Sequence, residues 1–116
     1  MSSAILDLYD LIVGQLQDAG LPVVDDPRAV RPPLIVVEPP TVTGTPNGHH
    51  VSCTVPIIVV APPPGNRDAA RFLMGLTDQV VDILEGPSTA EPGTYTISGQ
   101  EMPCYTVSLT LIATRS

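Results

Sequence analysis

Few residues in this chain have the types and spacing that chemistry needs. An adjacent pair, His49-His50, two cysteines, Cys53 and Cys104, an acidic pair, Asp25-Asp26, and a carboxylate series, Asp78, Asp82 and Glu85, make up most of the candidates. Metal ligation by the histidines requires further ligands converging at about 2 Å, and consecutive side chains of an extended segment point apart. Each cysteine lies in strand-like sequence instead of a Cys-x-x-Cys pair, so reduced thiols in a core are expected in place of zinc or redox chemistry. The carboxylates sit in a polar loop and on the polar side of a helix, with no basic partner or cleft beside them, and such groups are usually solvated instead of working as an acid–base pair. The run Pro62-Pro63-Pro64-Gly65-Asn66 precedes a helix as a phosphate loop does, yet it lacks both the glycines that admit a phosphate and the Lys-Ser/Thr that holds one. No serine occupies a Gly-x-Ser-x-Gly elbow. The expectation is a protein that is not an enzyme and that carries no cofactor and no metal.

Composition points to partners instead. The chain of 116 residues has no lysine and five basic residues, all arginine, with 15% charged against 43% hydrophobic residues. A typical globular composition is roughly 25% charged, and a domain this small buries only about two thirds of its unfolded surface. Apolar surface left over after folding is therefore expected to meet copies of the chain or neighbouring proteins. The net charge of −7 and a pI near 4.3 disfavour specific DNA binding, which depends on cationic side chains displacing counterions. The start, Met1 to Asp7, lacks the basic and apolar regions of a signal peptide, and no apolar run approaches the roughly 20 residues that cross a bilayer. A soluble protein made in the cytoplasm, without membrane contact, is expected.

The elements that must position any interaction site follow from periodicity. Ile5, Leu8, Ile12, Leu16 and Ala19 recur at helical spacing until Gly20, and Leu73, Leu76, Val80 and Leu84 trace a second stripe between Asn66, a capping residue, and Gly86-Pro87. The second helix ends on an acidic turn that opposes its dipole. A short β-branched run, Leu34 to Glu38, is clipped by prolines on both sides. Residues 41–49 have loop composition and read as a hairpin or arm. From His50 to Val60 the pattern alternates and then becomes apolar on both faces, so the second half of that strand is expected to be buried twice. Pro56 inside it implies a bulge or an unpaired side. Thr94 to Ser98, a turn around Gly99 and the alternating run Cys104 to Thr114 form the last two strands. The order is α-β-β-α-β-β: one α+β domain over residues 1–116, two layers thick, with about four mostly antiparallel or mixed strands covered by two helices.

In this order and texture the chain resembles the tail terminator proteins of long-tailed bacteriophages. The resemblance rests on the helix Ile5 to Ala19, the Pro-flanked strand Leu34 to Glu38, the block Val51 to Leu73 and the strand Pro103 to Thr114. It implies a virion protein of the tail and neck, assembled in the host cytoplasm, that forms a homo-oligomeric ring of six. Such a ring caps the tail tube, ends its polymerisation and joins it to the head connector or stopper protein. DNA passes through the lumen without specific binding. The abundant Ala, Val, Pro, Gly and Thr also suit a GC-rich genome. The alternatives are another neck, tail-completion or minor capsid protein and, from a different class, a small-molecule binding module whose apolar residues line a pocket.

For the partner surface the loops are the natural choice, since loops on a compact scaffold commonly carry recognition. The expected residues are Thr41, Val42, Thr43, Thr45, Asn47, His49 and His50 in the first, Pro63, Pro64, Asn66 and Arg67 in the second, and Pro87 and Glu91 in the third. Asp78, Asp82 and Glu85 are the expected lumen charges, placed to repel passing DNA.

Overall fold

The computed structural model describes residues 4–24, 28, 33–44, 50–61, 67–84 and 88–114. The elements are α1 (Ala4–Asp18), β1 (Leu34–Val37), β2 (Thr41–Gly44), β3 (His50–Val60), α2 (Arg67–Ile83), β4 (Ser88–Ile97) and β5 (Gln100–Thr114). They form an α+β domain with one antiparallel sheet of five strands, in the order β1-β3-β5-β4, with β2 also on β3. The sheet thus has one strand more than the four expected, and the order is α-β-β-β-α-β-β. The additional strand is β2, where a loop was expected: Thr41-Val42-Thr43 is too short a β-branched run, between Pro40 and Gly44, to stand out as a strand.

The two helices cover one face. Ile12 and Leu16 of α1 and Ala69, Leu73, Leu76, Val80 and Leu84 around α2 are buried against Ile35, Val37, Val55, Ile57, Val59, Val107 and Leu109 of the sheet. α1 stops as its sequence implies. Gly20 has φ +80°, its N–H donates to Gln17 O at 2.9 Å, and Leu21 N–H donates to Leu16 O at 3.2 Å, the paired bonds of a glycine C-cap. Thr77, buried in α2, donates its hydroxyl to Leu73 O at 2.7 Å, so its polar atom is satisfied within the helix.

The opposite face holds a second, smaller apolar cluster at one end: Leu34, Val36, Ile58, Val60, Ile97, Met102 and Cys104, with Val24 and Tyr95 packed against it. The second half of β3 is buried on both sides, as its continuous apolar run implies. Toward the other end the same face is polar apart from the exposed Ile112, with Thr43, Ser52, Thr54, Ser108 and Thr110 in its rows and a Thr54–Thr110 hydroxyl contact at 3.4 Å.

β1 and β2 are two pieces of one edge. β1 pairs with residues 57–60 and β2 with residues 51–54 of β3. Glu38 N–H donates to Pro56 O at 2.9 Å, and the register then places Pro39 and Pro40 opposite Val55 alone. That arrangement is a β-bulge, and it lies on the partner strand instead of at Pro56. A strand residue's N–H and C=O point to the same neighbour. The Pro56 carbonyl faces the β1–β2 edge, so its missing donor does too, and its register with Ser108 of β5 is unbroken. Pro56 therefore costs the central β3–β5 ladder nothing.

At the other border, β4 begins at Ser88, six residues before the expected start at Thr94. Glu91-Pro92-Gly93 reads as a loop, yet it pairs with Cys104 to Thr106. Pro103 O accepts from Ala61 on the β3 side at 3.0 Å. Alternation then sends Cys104 to the β4 side and Tyr105 to the β3 side, so Pro92, opposite Tyr105, turns its missing donor to the outer edge. Proline is tolerated on an edge strand for that reason. β4 and β5 are joined at Ser98-Gly99, with φ 51° and 81°, the all-positive φ pattern of a two-residue type I′ hairpin.

Candidate interaction surface

The backbone of the sheet decides where another chain could attach. The β1 border is largely covered. Residues 22–24 run parallel to it, with Ile35 N–H donating to Pro22 O at 2.8 Å and Val24 N–H to Ile35 O at 2.9 Å. The remaining outward carbonyl, that of Val37, accepts the Tyr9 hydroxyl of α1 at 3.0 Å. Beyond the proline bulge this protection ends. Thr41 and Thr43 bond inward to β3, leaving Val42 and Gly44 with outward N–H and C=O groups, and all four residues of β2 are exposed. On the far border, Ser88, Ala90, Thr94 and Thr96 of β4 turn their backbone groups outward, with Pro92 interrupting the row of donors. Among the described residues no strand covers either β2 or β4.

The structure separates the expected contact residues instead of gathering them. Thr41, Val42, Thr43 and the exposed His50 share the β2–β3 hairpin, so this part of the expected arm is a strand pair. Glu91 is exposed on β4. The β2 and β4 borders are three strand spacings apart, about 14 Å. Arg67 is the first residue of α2. Asp78 and Asp82 are exposed one turn apart on α2, with no basic residue in the last turn of that helix. Thr45, Asn47, His49, Pro63, Pro64, Asn66, Glu85 and Pro87 lie outside the described residues.

Beside β4, Ala70, Leu73 and Met74 of α2 and Pro92, Gly93, Pro103, Cys104 and Tyr105 of the sheet line an open, mainly apolar cleft of about 270 Å³. Its volume is just under the roughly 300 Å³ at which small-molecule pockets begin. Cys53 and Cys104 are both buried and unpaired. Cys104 lies opposite Val60 and Cys53 opposite Leu111, on different faces of the sheet. The seven-residue offset along β3 is about 23 Å, far beyond disulfide reach. Burial raises the Cys104 thiol above its ordinary pKa, against a smaller lowering by a hydrogen bond from Thr106. Burial also raises Tyr95, with the Glu38 carboxylate and Cys104 adding to it. Among the described residues no three or more His, Cys, Asp or Glu side chains gather as a metal site, and no helix is long and apolar enough to cross a membrane.

No family model matches the chain, and no curated protein matches it.

The edge positions were missed by sequence reading because a free edge depends on what pairs elsewhere. One local signal existed: the Pro39-Pro40 break and Pro92 both mark edge strands, since neither position suits the middle of a sheet.

Proposed function

We propose that this chain is the subunit of a ring that caps a phage tail tube, ends its polymerisation and joins it to the head connector. The observation that carries this reading is the pair of strand edges, β2 and β4, that no described strand covers, on opposite borders of one sheet. A contact between two different borders is heterologous, and heterologous contacts repeat from copy to copy until the rotation closes a ring. A subunit with one free edge would dimerise and stop. The resemblance in sequence texture to tail terminators supplies the partners: the tail-tube protein on one side of the ring and the connector or stopper protein on the other, with six copies in the ring and DNA passing through it. In this reading the protein belongs to the virion neck and is assembled in the host cytoplasm. The acidic charge of the chain, −7 per copy, suits a ring that DNA traverses without adhering.

The test is sedimentation velocity and electron microscopy over a concentration series, with and without polymerising tail-tube protein from the same virion. Concentration-dependent rings that bind tube ends and arrest their growth are the expected result. A chain that stays single-copy throughout and leaves tube length unchanged overturns the reading. A small molecule seated in the cleft beside β4 of such a monomer would favour a binding module instead.

A further inference from the structure

Resting on the ring reading, the geometry points to the two strands that join neighbouring copies: β2 of one copy pairs antiparallel with the start of β4 of the next. In the register we infer, Thr41 stands opposite Glu91, Val42 opposite Ala90, Thr43 opposite Thr89 and Gly44 opposite Ser88.

Hydrogen-bonding direction limits the register to two, Val42 and Gly44 against Ala90 and Ser88 or against Thr96 and Thr94; the second would shift each copy by ten residues, about 33 Å, and incline the strands by roughly 60°, outside the range of closed barrels. Val42 and Gly44 are the β2 residues whose backbone groups point outward, because Thr41 and Thr43 bond to Thr54 and Ser52 of β3. On β4, Ser88 and Ala90 point outward, because Thr89 and Glu91 face Ser108 and Thr106 of β5. Matching Val42 to Ala90 and Gly44 to Ser88 lets both pairs exchange two bonds, which satisfies every outward group in the overlap. The overlap ends at Pro40 on one strand and Pro92 on the other, where a donor is missing in any case.

Strand direction agrees. β2 is antiparallel to β3, β3 to β5 and β5 to β4, so β2 and β4 run in opposite directions within a copy. A copy related by rotation about an axis near the strand direction keeps its own directions. Its β2 therefore lies antiparallel to the β4 it meets, and the alternation continues around the ring without a break.

The two faces also match. Val42 shares a row with Cys53, and Ala90 with Val107, both on the helix-covered side. Val42 is 37% exposed and in this register sits near the mouth of the apolar cleft formed by Met74 and Pro92. Thr41, Thr43, Thr89 and Glu91 fall together on the polar side, where the Thr41 hydroxyl can donate to the Glu91 carboxylate. Glu91 is the one charged residue among these eight, so chains of net charge −7 meet where like charges do not face each other.

The offset fits a curved, closed sheet. Val42 is level with Leu111 of its own β5 through Cys53, and Ala90 is level with Val107. Each step to the next copy therefore shifts the register by four residues, about 13 Å, across four strand spacings, about 19 Å. The strands then incline by roughly 35° to the ring axis, within the range of closed barrels.

The test is disulfide trapping. A hydrogen-bonded pair has Cα atoms about 5.5 Å apart, within disulfide range; every variant carries Cys53→Ala, because Cys53 stands directly opposite Val42 and would close a disulfide within one copy, while Cys104 is buried and stays in place. Oxidised V42C/A90C protein is expected to give a ladder of linked multimers on a non-reducing gel, with each single variant remaining monomeric. A90C/T94C is the counter-probe, because a two-fold pairing of β4 with β4 brings those two positions together; linked dimers from that pair and no ladder from V42C/A90C would overturn the proposal. A90P removes an outward N–H and leaves the inward ladder intact, so it is expected to abolish rings with the circular dichroism spectrum unchanged. Rings that persist in folded A90P would also overturn the β2–β4 contact. Rings visible by microscopy without the V42C/A90C link remove this pairing and leave the ring reading standing, whereas neither rings nor links removes both.

Discussion

Tyr9→Phe deletes one oxygen and isolates the latch that closes the β1 border. The Tyr9 hydroxyl donates to Val37 O at 3.0 Å, bridging 28 residues between α1 and the sheet. Val37 is 4% exposed, so its outward carbonyl has little access to replacement water once the donor is gone. A lost hydrogen bond costs about 0.5–1.5 kcal/mol, and leaving a buried partner unsatisfied raises that to about 1–3. Tyr9 is only partly buried, which lets some solvent follow the hydroxyl and sets the expectation near 1–1.5 kcal/mol. With an unfolding entropy of roughly 2.1 cal/mol/K per residue, a loss of this size lowers Tm by about 4–6 °C in a chain of this length. Urea unfolding followed by circular dichroism gives the free energy, and an unchanged m-value shows that the exposed surface is unaltered. The amides of Val24 and Ile35, which close the same border, should exchange faster in the variant. A midpoint equal to that of the parent protein, with amide exchange unaltered, would show that α1 does not hold this edge and that its closure rests on residues 22–24 alone.

Three further perturbations address other joints of the fold. Gly99→Ala places a side chain at φ +81° and should cost about 1 kcal/mol in a urea titration, while Ser98→Asn, at φ 51°, should gain a few tenths because asparagine suits the first position of a type I′ turn; a neutral Gly99→Ala would contradict the turn assignment. Cys104 and Tyr95 have folded pKa values raised above their ordinary 9.0 and 10.0, so the folded state retains protons that the unfolded chain releases. Their contribution is full below pH 9 and is lost as pH rises through the folded values; a denaturation series in alkali should therefore show falling stability, with a shallower initial slope for Cys104→Ala, and an identical slope would remove the thiol from this account. Asp82 is exposed in the last turn of α2, where a negative charge opposes the helix dipole. Asp82→Asn should raise Tm slightly, and the gain should shrink as salt is added.

Much of the scaffold was legible because its signals are local. Helical periodicity closed by Gly20 placed α1, and a capped apolar stripe placed α2. Alternation over many residues placed β3 and the body of β5. The features that read poorly depend on residues far away in sequence. Thr41 to Gly44 becomes a strand because Val51 to Thr54 is there to pair with it, and the first half of β4 becomes one because β5 extends beside it. Proline misled twice in the same manner. Pro92 suggests a loop until its missing donor is seen to face outward, and Pro56 suggests a defect until the bulge opposite it is seen at Pro39-Pro40. For the candidate site, Thr41, Val42 and Thr43 were legible as a surface segment, but their value as an open edge was not, because openness is a property of the assembled sheet.

The apolar surplus of the chain, which first pointed to partners, is in large part accounted for within the fold. The second half of β3 was expected to be buried on both faces, and on the face opposite the helices Leu34, Val36, Ile58, Val60, Ile97, Met102 and Cys104 are buried in a second cluster. What stays exposed is dispersed. Leu6 and Leu11 on α1 are about 140° apart around the helix, and Phe72 and Met74 on α2 about 200° apart, at 100° per residue, so each pair lies on separate flanks even though all four are about half exposed. Val42 on β2 and Ile112 on β5, the latter 73% exposed, lie on opposite faces of the sheet, so the six exposed side chains do not make one adhesive seam. An isolated exposed leucine is ordinary on any protein surface, whereas a strand with unpaired outward amides and carbonyls is a template for another strand. The case for self-association therefore moves from composition to topology, onto the borders at β2 and β4, which no described strand covers. It also becomes sharper in consequence: removing Leu6, Leu11 or Phe72 one at a time should leave association unchanged, while removing a single outward N–H from an open edge should abolish it.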